Sequence, residues 1–122
     1  MIDLDCKETP RVGDIVYTRF PTEEGGSLPH YCLVLTVETQ MTQGTLVVAY
    51  GSSKKVSRDG HTPTEIVVFD HGALAVCGLQ MPTRFDLGKR ARIRAESAVR
   101  TGALPRKLYV DLKKAAIAAG LL

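Results

Sequence analysis

Runs of apolar and β-branched residues, separated by short polar segments, dominate the first half of the chain. Residues 13–20, 31–37 and 45–50 each have this character and predict three strands. Because residues 31–37 and 45–50 are apolar on both faces, we expect them to be neighbouring antiparallel central strands. Residues 21–29 are rich in turn-forming residues and follow neither period, which predicts a mobile surface loop.

The second half of the chain continues this pattern and then changes period. Residues 65–69 and 73–77 predict two further short strands. Residues 90–94 alternate arginine with alanine or isoleucine, which suits an edge strand whose charges discourage pairing between sheets. Apolar residues then recur at helical spacing, so residues 105–119 predict an amphipathic helix that stops at Gly120.

The order of these elements predicts the fold class. Short strands joined by glycine-containing turns, with no helix between them, indicate a mainly β protein, a small antiparallel barrel or sandwich followed by one helix. With 122 residues the chain should form a single domain, residues 1–122, with the barrel at about 11–95 and the helix at about 105–119. We find neither a membrane span nor a signal peptide, so we expect a cytoplasmic protein without membrane contact.

Composition and charge narrow the possible partners. Aromatic residues make up only 6% of the chain and tryptophan is absent, which argues against an extensive platform for stacking nucleic-acid bases. The net charge is +3, but residues 84–114 carry ten basic side chains against three acidic ones. This basic half suits either a polyanionic partner or an ordinary solvated surface.

The sequence lacks the usual motifs of metal, nucleotide and acyl-transfer sites. Its three cysteines are odd in number and far apart, so we expect small buried side chains, and its three histidines lack metal-ligand spacing. These residues are Cys6, Cys32, Cys77, His30, His61 and His71. Neither a phosphate-binding glycine loop nor a Gly-x-Ser-x-Gly elbow occurs, so we expect no metal and no cofactor.

Polar residues at the strand ends are the remaining candidates for chemistry. His30 enters the second predicted strand, and Ser52 and Ser53 leave the third, beside Lys54 and Lys55. If these two strands are antiparallel neighbours, the start of one lies near the end of the other. This geometry predicts that His30 lies near Ser52.

Five motifs follow one another between about residues 11 and 119. They are Gly13-Asp-Ile-Val16, a loop ending near Pro29, Leu33-Val-Leu35, Val48-Ala-Tyr-Gly-Ser-Ser53 and Pro82-Thr-Arg-Phe-Asp-Leu87. The series resembles the PemK/MazF toxin family, specifically its PemK-like branch. The resemblance implies an SH3-like β-barrel of the PemK, MazF and CcdB type. It also implies a homodimeric toxin of a type II toxin–antitoxin system, which pairs with a small antitoxin protein and cleaves single-stranded RNA as a metal-independent endoribonuclease.

The resemblance also suggests roles for individual residues. In the family, an arginine opening the second strand and a threonine or serine leaving the third contact the scissile phosphate; here these positions hold His30 and Ser52. The arginine and aspartate that some members place in the segment matching residues 76–78 are absent. A histidine titrates near neutrality and can act as base or acid, so His30 and Ser52 are the catalytic candidates. The RNA-binding candidates are Ser53, Lys54, Lys55 and Arg84.

Replacement of the family arginine keeps two other functions open. One is a catalytically silent barrel that uses the same surface to bind a protein or a nucleic acid. The other is a gyrase-directed toxin on the same scaffold, similar to CcdB. Cleavage of RNA, binding without cleavage, and inhibition of DNA supercoiling distinguish the three.

Overall fold

The computed structural model describes residues 9–40, 43–59 and 62–122. The strands are β1 (Asp14–Pro21), β2 (Ser27–Gln40), β3 (Gln43–Ser52), β4 (Glu65–Val68), β5 (Thr83–Arg94) and β6 (Val99–Ala103). The helices are α1 (His71–Cys77) and α2 (Tyr109–Ala118), and short 3₁₀ turns cover Ala95–Ser97 and Arg106–Leu108.

All six strands belong to one antiparallel sheet in the order β4-β5-β3-β2-β1-β6, which curls into a half-barrel. The expected pairing of the two central strands is confirmed, because Cys32 of β2 lies opposite Tyr50 of β3 and Val34 lies opposite Val48. Among the described strands, the basic end of β5 pairs with β3 alone, since β4 pairs with residues 83–86. The edge predicted for residues 90–94 is therefore present.

Alternation along the strands gives the sheet an apolar cluster on each face. Ile15 and Leu33 belong to the first cluster, which also contains buried residues of α1 and α2 and which we call the helix-side core. Their neighbours Val16 and Cys32 belong to the second, which we call the strand-side core. The paired strands therefore supply side chains to both cores.

Residues 73–77 form a helix, so the strand predicted there is wrong. Ala73, Leu74 and Cys77 are buried on the helix-side core, while Val76 is exposed, a spacing that fits helical periodicity. Gly78 ends the helix in the left-handed region with φ of 71°. A five-residue apolar run fits a buried strand and a short helix equally well, which explains the error.

Of the loop predicted over residues 21–29, both ends are paired strand. β1 continues to Pro21 and β2 begins at Ser27, with Phe20 opposite Leu28. Residues 22–26 form the turn, in which the backbone N–H of Thr22 donates to the carbonyl oxygen of Gly26 at 2.8 Å and that of Gly25 donates to the carbonyl oxygen of Thr22 at 3.2 Å. The loop is therefore a β-hairpin with a short tip, because both strands extend further than their apolar runs.

The sheet also continues past residue 95, where the barrel was expected to end. β6 pairs with β1, placing Gly102 opposite Ile15, although its own sequence, VRTGA, contains no apolar run. A Cβ on Gly102 would overlap the backbone of Val76 and Cys77, so this strand needs glycine where it passes α1. The predicted C-terminal helix is confirmed, with a 3₁₀ turn in its first three residues after Pro105.

Two further expectations concern the membrane and the cysteines. Within the described ranges, no helix is both long and apolar enough to cross a membrane. Cys32 and Cys77 are fully buried, as expected. Cys6 and His61 lie outside the described residues.

Candidate active site

The candidate site lies where the pairing between β2 and β3 ends. The pairing between β2 and β3 ends at Cys32 opposite Tyr50, and continuing the same antiparallel register by two residues places His30 across from Ser52. On its other side, His30 pairs with Thr18 of β1. Because side chains alternate along a strand, His30, Tyr50 and Ser52 share one face of the sheet.

His30 and Ser52 line the same pocket, which has a volume of about 260 Å³. Ser53 lines it as well. The two candidate catalytic residues therefore lie at one cavity, as predicted from the antiparallel pairing of the second and third strands. Their catalytic roles stay a prediction.

Gly51 determines how closely the strands approach at this pocket. A Cβ at this position would overlap the carbonyl oxygen of Tyr31 and would lie 2.8 Å from the ring of Phe85. Only glycine permits β3 to pass between them, and this passage sets the position of the following Ser52.

The Ser52 hydroxyl makes one hydrogen bond within the protein and keeps its proton for a second. The residue is buried, and its hydroxyl oxygen accepts a hydrogen bond of 3.1 Å from the backbone N–H of Lys54. This contact stabilises the turn after β3. A hydroxyl has one donor and two acceptor sites, so the Ser52 proton can still be donated to a ligand in the pocket.

His30 is half-buried in surroundings that favour its neutral form. Its ring centroid lies 4.6 Å from that of Tyr50. Burial lowers the pKa of His30 below its usual 6.5, and the charges of Lys89 and Lys54 lower it further, while a backbone hydrogen bond with Gly51 opposes them. At neutral pH the imidazole is therefore mainly uncharged and able to accept a proton.

The other predicted RNA-binding residues differ in their exposure and in their contacts. Lys54 and Lys55 are exposed on the turn after β3, where Lys55 adopts a φ of 52°. Arg84 instead donates from Nε to the carbonyl oxygen of Lys54 at 3.0 Å and pairs with Glu65 at 2.7 Å. The Glu65 side chain is only 1% exposed. Arg84 therefore fixes the turn that carries Lys54 and Lys55, which we call the lysine turn. The role of its guanidinium in attracting RNA stays a prediction.

Sequence analysis missed several residues of this site. Tyr17 and Tyr31 are cross-strand partners that line the pocket, with ring centroids 4.9 Å apart. Met81 lines it from the segment after α1, which could not be placed while residues 73–77 were assigned to a strand. Lys89 and Tyr50 do not line the pocket but lie beside it, since the Nζ of Lys89 is 4.0 Å from the ring centroid of Tyr50, which is 4.6 Å from that of His30. Of these residues, only the two tyrosines could have been found from the sequence, because side chains alternate along paired strands and this alternation places Tyr17 opposite Tyr31.

The larger cavity of the molecule has a different character. A groove of about 900 Å³ separates α2 from the sheet, with Leu35, Tyr109 and Leu112 among its apolar walls. Arg90 and Lys113 contribute positive charge to its lining, and so does Arg92, which pairs there with Glu38 at 3.4 Å. It contains neither His30 nor Ser52, so the candidate chemistry belongs to the smaller pocket.

The buried cysteines are poor nucleophiles. Burial raises the pKa of the Cys32 thiol to about 12 and that of Cys77 to about 11, so both remain protonated at neutral pH. Among the residues with described positions, no three histidine, cysteine, aspartate or glutamate side chains form a group able to hold a metal ion.

Comparison with known proteins places the architecture. No family model matches the sequence, and no curated protein matches it. The curled six-stranded sheet with its C-terminal helix is the fold of the MazF toxins, so the expected SH3-like barrel of the PemK/MazF type is confirmed. The Mycobacterium tuberculosis toxin MazF-mt6 is one such structure. It has a TM-score of 0.63 and 21% sequence identity, covering 89% of this chain and 97% of that chain.

Proposed function

We propose that this protein is a PemK/MazF-like toxin, a metal-independent endoribonuclease that cleaves single-stranded RNA in the cytoplasm. The observation that carries the proposal is the pocket shared by His30 and Ser52, at the end of a sheet with the MazF fold. An uncharged imidazole, a hydroxyl and nearby ammonium groups are the groups that RNA cleavage by its own 2′-hydroxyl requires.

In the proposed reaction, the ribose 2′-oxygen attacks the adjacent phosphorus. The O2′–P bond forms, the P–O5′ bond breaks, and the products end in a 2′,3′-cyclic phosphate and a 5′-hydroxyl. His30 accepts the proton of the 2′-hydroxyl, and a proton from the site or from water passes to the departing 5′-oxygen. The Ser52 hydroxyl donates to a non-bridging oxygen, where negative charge grows in the transition state.

The turn after β3 binds the RNA on either side of the scissile phosphodiester. Ser53 lines the pocket, and Lys54 and Lys55 attract phosphates on its rim. Arg84 holds the carbonyl of Lys54 and so fixes where these lysines stand. Tyr17 is 41% exposed beside Tyr31 and offers one aromatic face to a base.

The proposed partners are a small antitoxin and a second copy of this chain. An antitoxin segment with apolar and acidic side chains suits the groove beside α2, since the groove combines apolar walls with the positive charges of Arg90 and Lys113. Exposed apolar residues on α2, Val110 and Ile117, offer a contact surface for the homodimer. Light scattering on the purified chain, alone and with its antitoxin, measures both assemblies.

The test of the activity is cleavage of end-labelled single-stranded RNA in excess chelator. Wild-type protein is expected to release 2′,3′-cyclic phosphate ends, and His30→Ala and Ser52→Ala each to slow cleavage by about 100-fold or more. His71→Ala is the matched control, because His71 is exposed on α1 and does not line the pocket. Binding of intact RNA without cleavage would overturn the nuclease and support the silent binding module.

A further inference from the structure

β5 has an irregularity directly beside Tyr50. The adjacent β3 residues Ala49 and Tyr50 pair with Arg90 and Asp86, so the register shifts by three residues and residues 87–89 form a bulge. Bulges redirect the side chains they carry, and they occur often beside functional sites.

This bulge is held at both ends. The carboxylate of Asp86 accepts hydrogen bonds of 2.8 Å from the backbone N–H of Gly88 and from the hydroxyl of Thr64. Arg90 donates from Nη1 to the carbonyl oxygen of Leu87 at 2.7 Å, and Leu87 itself is fully buried. The backbone that carries Lys89 is therefore fixed, although its side chain reaches the surface.

The bulge places the ammonium of Lys89 over the aromatic ring beside His30. Nζ lies 4.0 Å from the centroid of the Tyr50 ring, whose centroid is 4.6 Å from that of His30. No carboxylate of the described part of the chain forms an ion pair with Lys89. A cation–π contact orients the ammonium without neutralising it, so its charge remains available to an anion.

The chemistry of the site requires such a charge. The transition state of phosphodiester cleavage gains negative charge, and an uncharged imidazole at position 30 cannot supply a permanent positive charge. Arg84 cannot turn toward the pocket without giving up Glu65 and the carbonyl of Lys54. Lys54 is exposed on a turn, whereas Lys89 comes from a braced strand.

We propose that Lys89 is the phosphate-binding residue of the site and contacts the scissile phosphodiester beside His30. This inference rests on the proposed RNA cleavage. Its competitor is a structural role, in which the lysine stem merely covers the Tyr50 ring.

The experiment compares Lys89→Met, Lys89→Arg and Lys114→Met. Methionine keeps an apolar chain over Tyr50 and removes the charge, arginine restores the charge, and Lys114 is an exposed lysine of α2. Single-turnover cleavage and binding of 2′-O-methyl RNA, which cannot be cleaved, are both measured across a salt series. Thermal unfolding verifies that each variant folds.

We expect Lys89→Met to lower kcat/KM by about 100-fold, the usual loss on removing one transition-state contact, while Lys89→Arg recovers most of it. The slope of log affinity against log salt should fall by about 0.7, which corresponds to one phosphate contact on a single strand. Lys114→Met should keep the wild-type rate. Equal behaviour of Lys89→Met and Lys114→Met in both assays overturns the inference.

The two proposals fail in different ways. If wild-type protein cleaves RNA and Lys89→Met does so equally well, only the role of Lys89 is wrong. If wild-type protein binds the 2′-O-methyl strand and cleaves nothing, the nuclease is wrong, and the salt slope still decides whether Lys89 contacts phosphate. If wild-type protein neither binds nor cleaves RNA, both proposals are wrong.

Discussion

The pocket at His30 and Ser52 and the groove beside α2 differ in what fixes their walls. The smaller pocket is bounded by ends of paired strands, and its polar groups are positioned by backbone register and by the close passage of Gly51 past Tyr31. The groove beside α2 is more than three times larger, yet its walls are mainly apolar side chains. The positions of polar groups in the pocket therefore depend on backbone register, whereas the shape of the groove depends on how side chains of α2 and the sheet pack.

The most damaging change to the pocket should be Gly51→Ala. The added methyl group would overlap backbone and the buried Phe85 ring, so the free energy of unfolding should fall by about 3 kcal/mol or more. Gly72→Ala is the control, since nothing lies within 4 Å of its Cβ position on α1, and alanine favours helix there. Urea denaturation measures both, and equal stability of the two variants would refute the close-approach argument.

The brace beneath the lysine turn gives the next effect. Arg84→Met leaves the carboxylate of Glu65 buried without its guanidinium, and should lower the free energy of unfolding by about 2 kcal/mol. Arg58→Met removes an ion pair with Asp70 and a cation–π contact with Phe69, but both partners of the ion pair are mostly exposed, so the free energy of unfolding of this variant should fall much less than that of Arg84→Met. If both variants melt alike, Arg84 is not a brace.

Lowering the pH should inactivate the pocket through His30. Its pKa lies below 6.5, so cleavage should be constant near pH 7 and fall by tenfold per pH unit once the pH drops below that pKa. Lys89→Met removes a charge that lowers this pKa, so its acid limb should move to higher pH. A pH–rate profile without an acid limb in wild-type protein would exclude His30 as the base.

The lowered pKa of His30 also makes the free energy of unfolding depend on pH. The unfolded chain takes up a proton at position 30 near pH 6.5, whereas the folded protein resists it, so His30 lowers stability as the pH falls below 6.5. His30→Gln should therefore show a smaller loss of stability between pH 7 and pH 5 than wild-type protein. Denaturation midpoints at the two pH values measure the difference, and identical losses would contradict the lowered pKa.

The smallest effect on cleavage is expected from the groove. Tyr109→Ala shortens a side chain that is 48% exposed and lines only the larger cavity, so RNA cleavage should stay within about twofold of wild type. Binding of an antitoxin in the groove should weaken. A large loss of cleavage in the isolated protein would show that the cavities are not separate in function.

The central strands could be predicted because two apolar runs joined by a short turn have few alternatives to antiparallel pairing. That pairing was enough to bring His30 and Ser52 to one pocket. The short run at residues 73–77 was ambiguous, since helix and strand both bury part of it. Lys89 could not be placed, because the bulge that carries it depends on Asp86 and Thr64, which are 22 residues apart in sequence.

The most direct test of the account is single-turnover cleavage of single-stranded RNA in chelator by His30→Ala, by Ser52→Ala and by the double variant. If both residues act on one phosphate, each single change should slow cleavage by about 100-fold or more, and the double variant should be little slower than the worse single variant. Cleavage by the double variant at the wild-type rate would contradict the account.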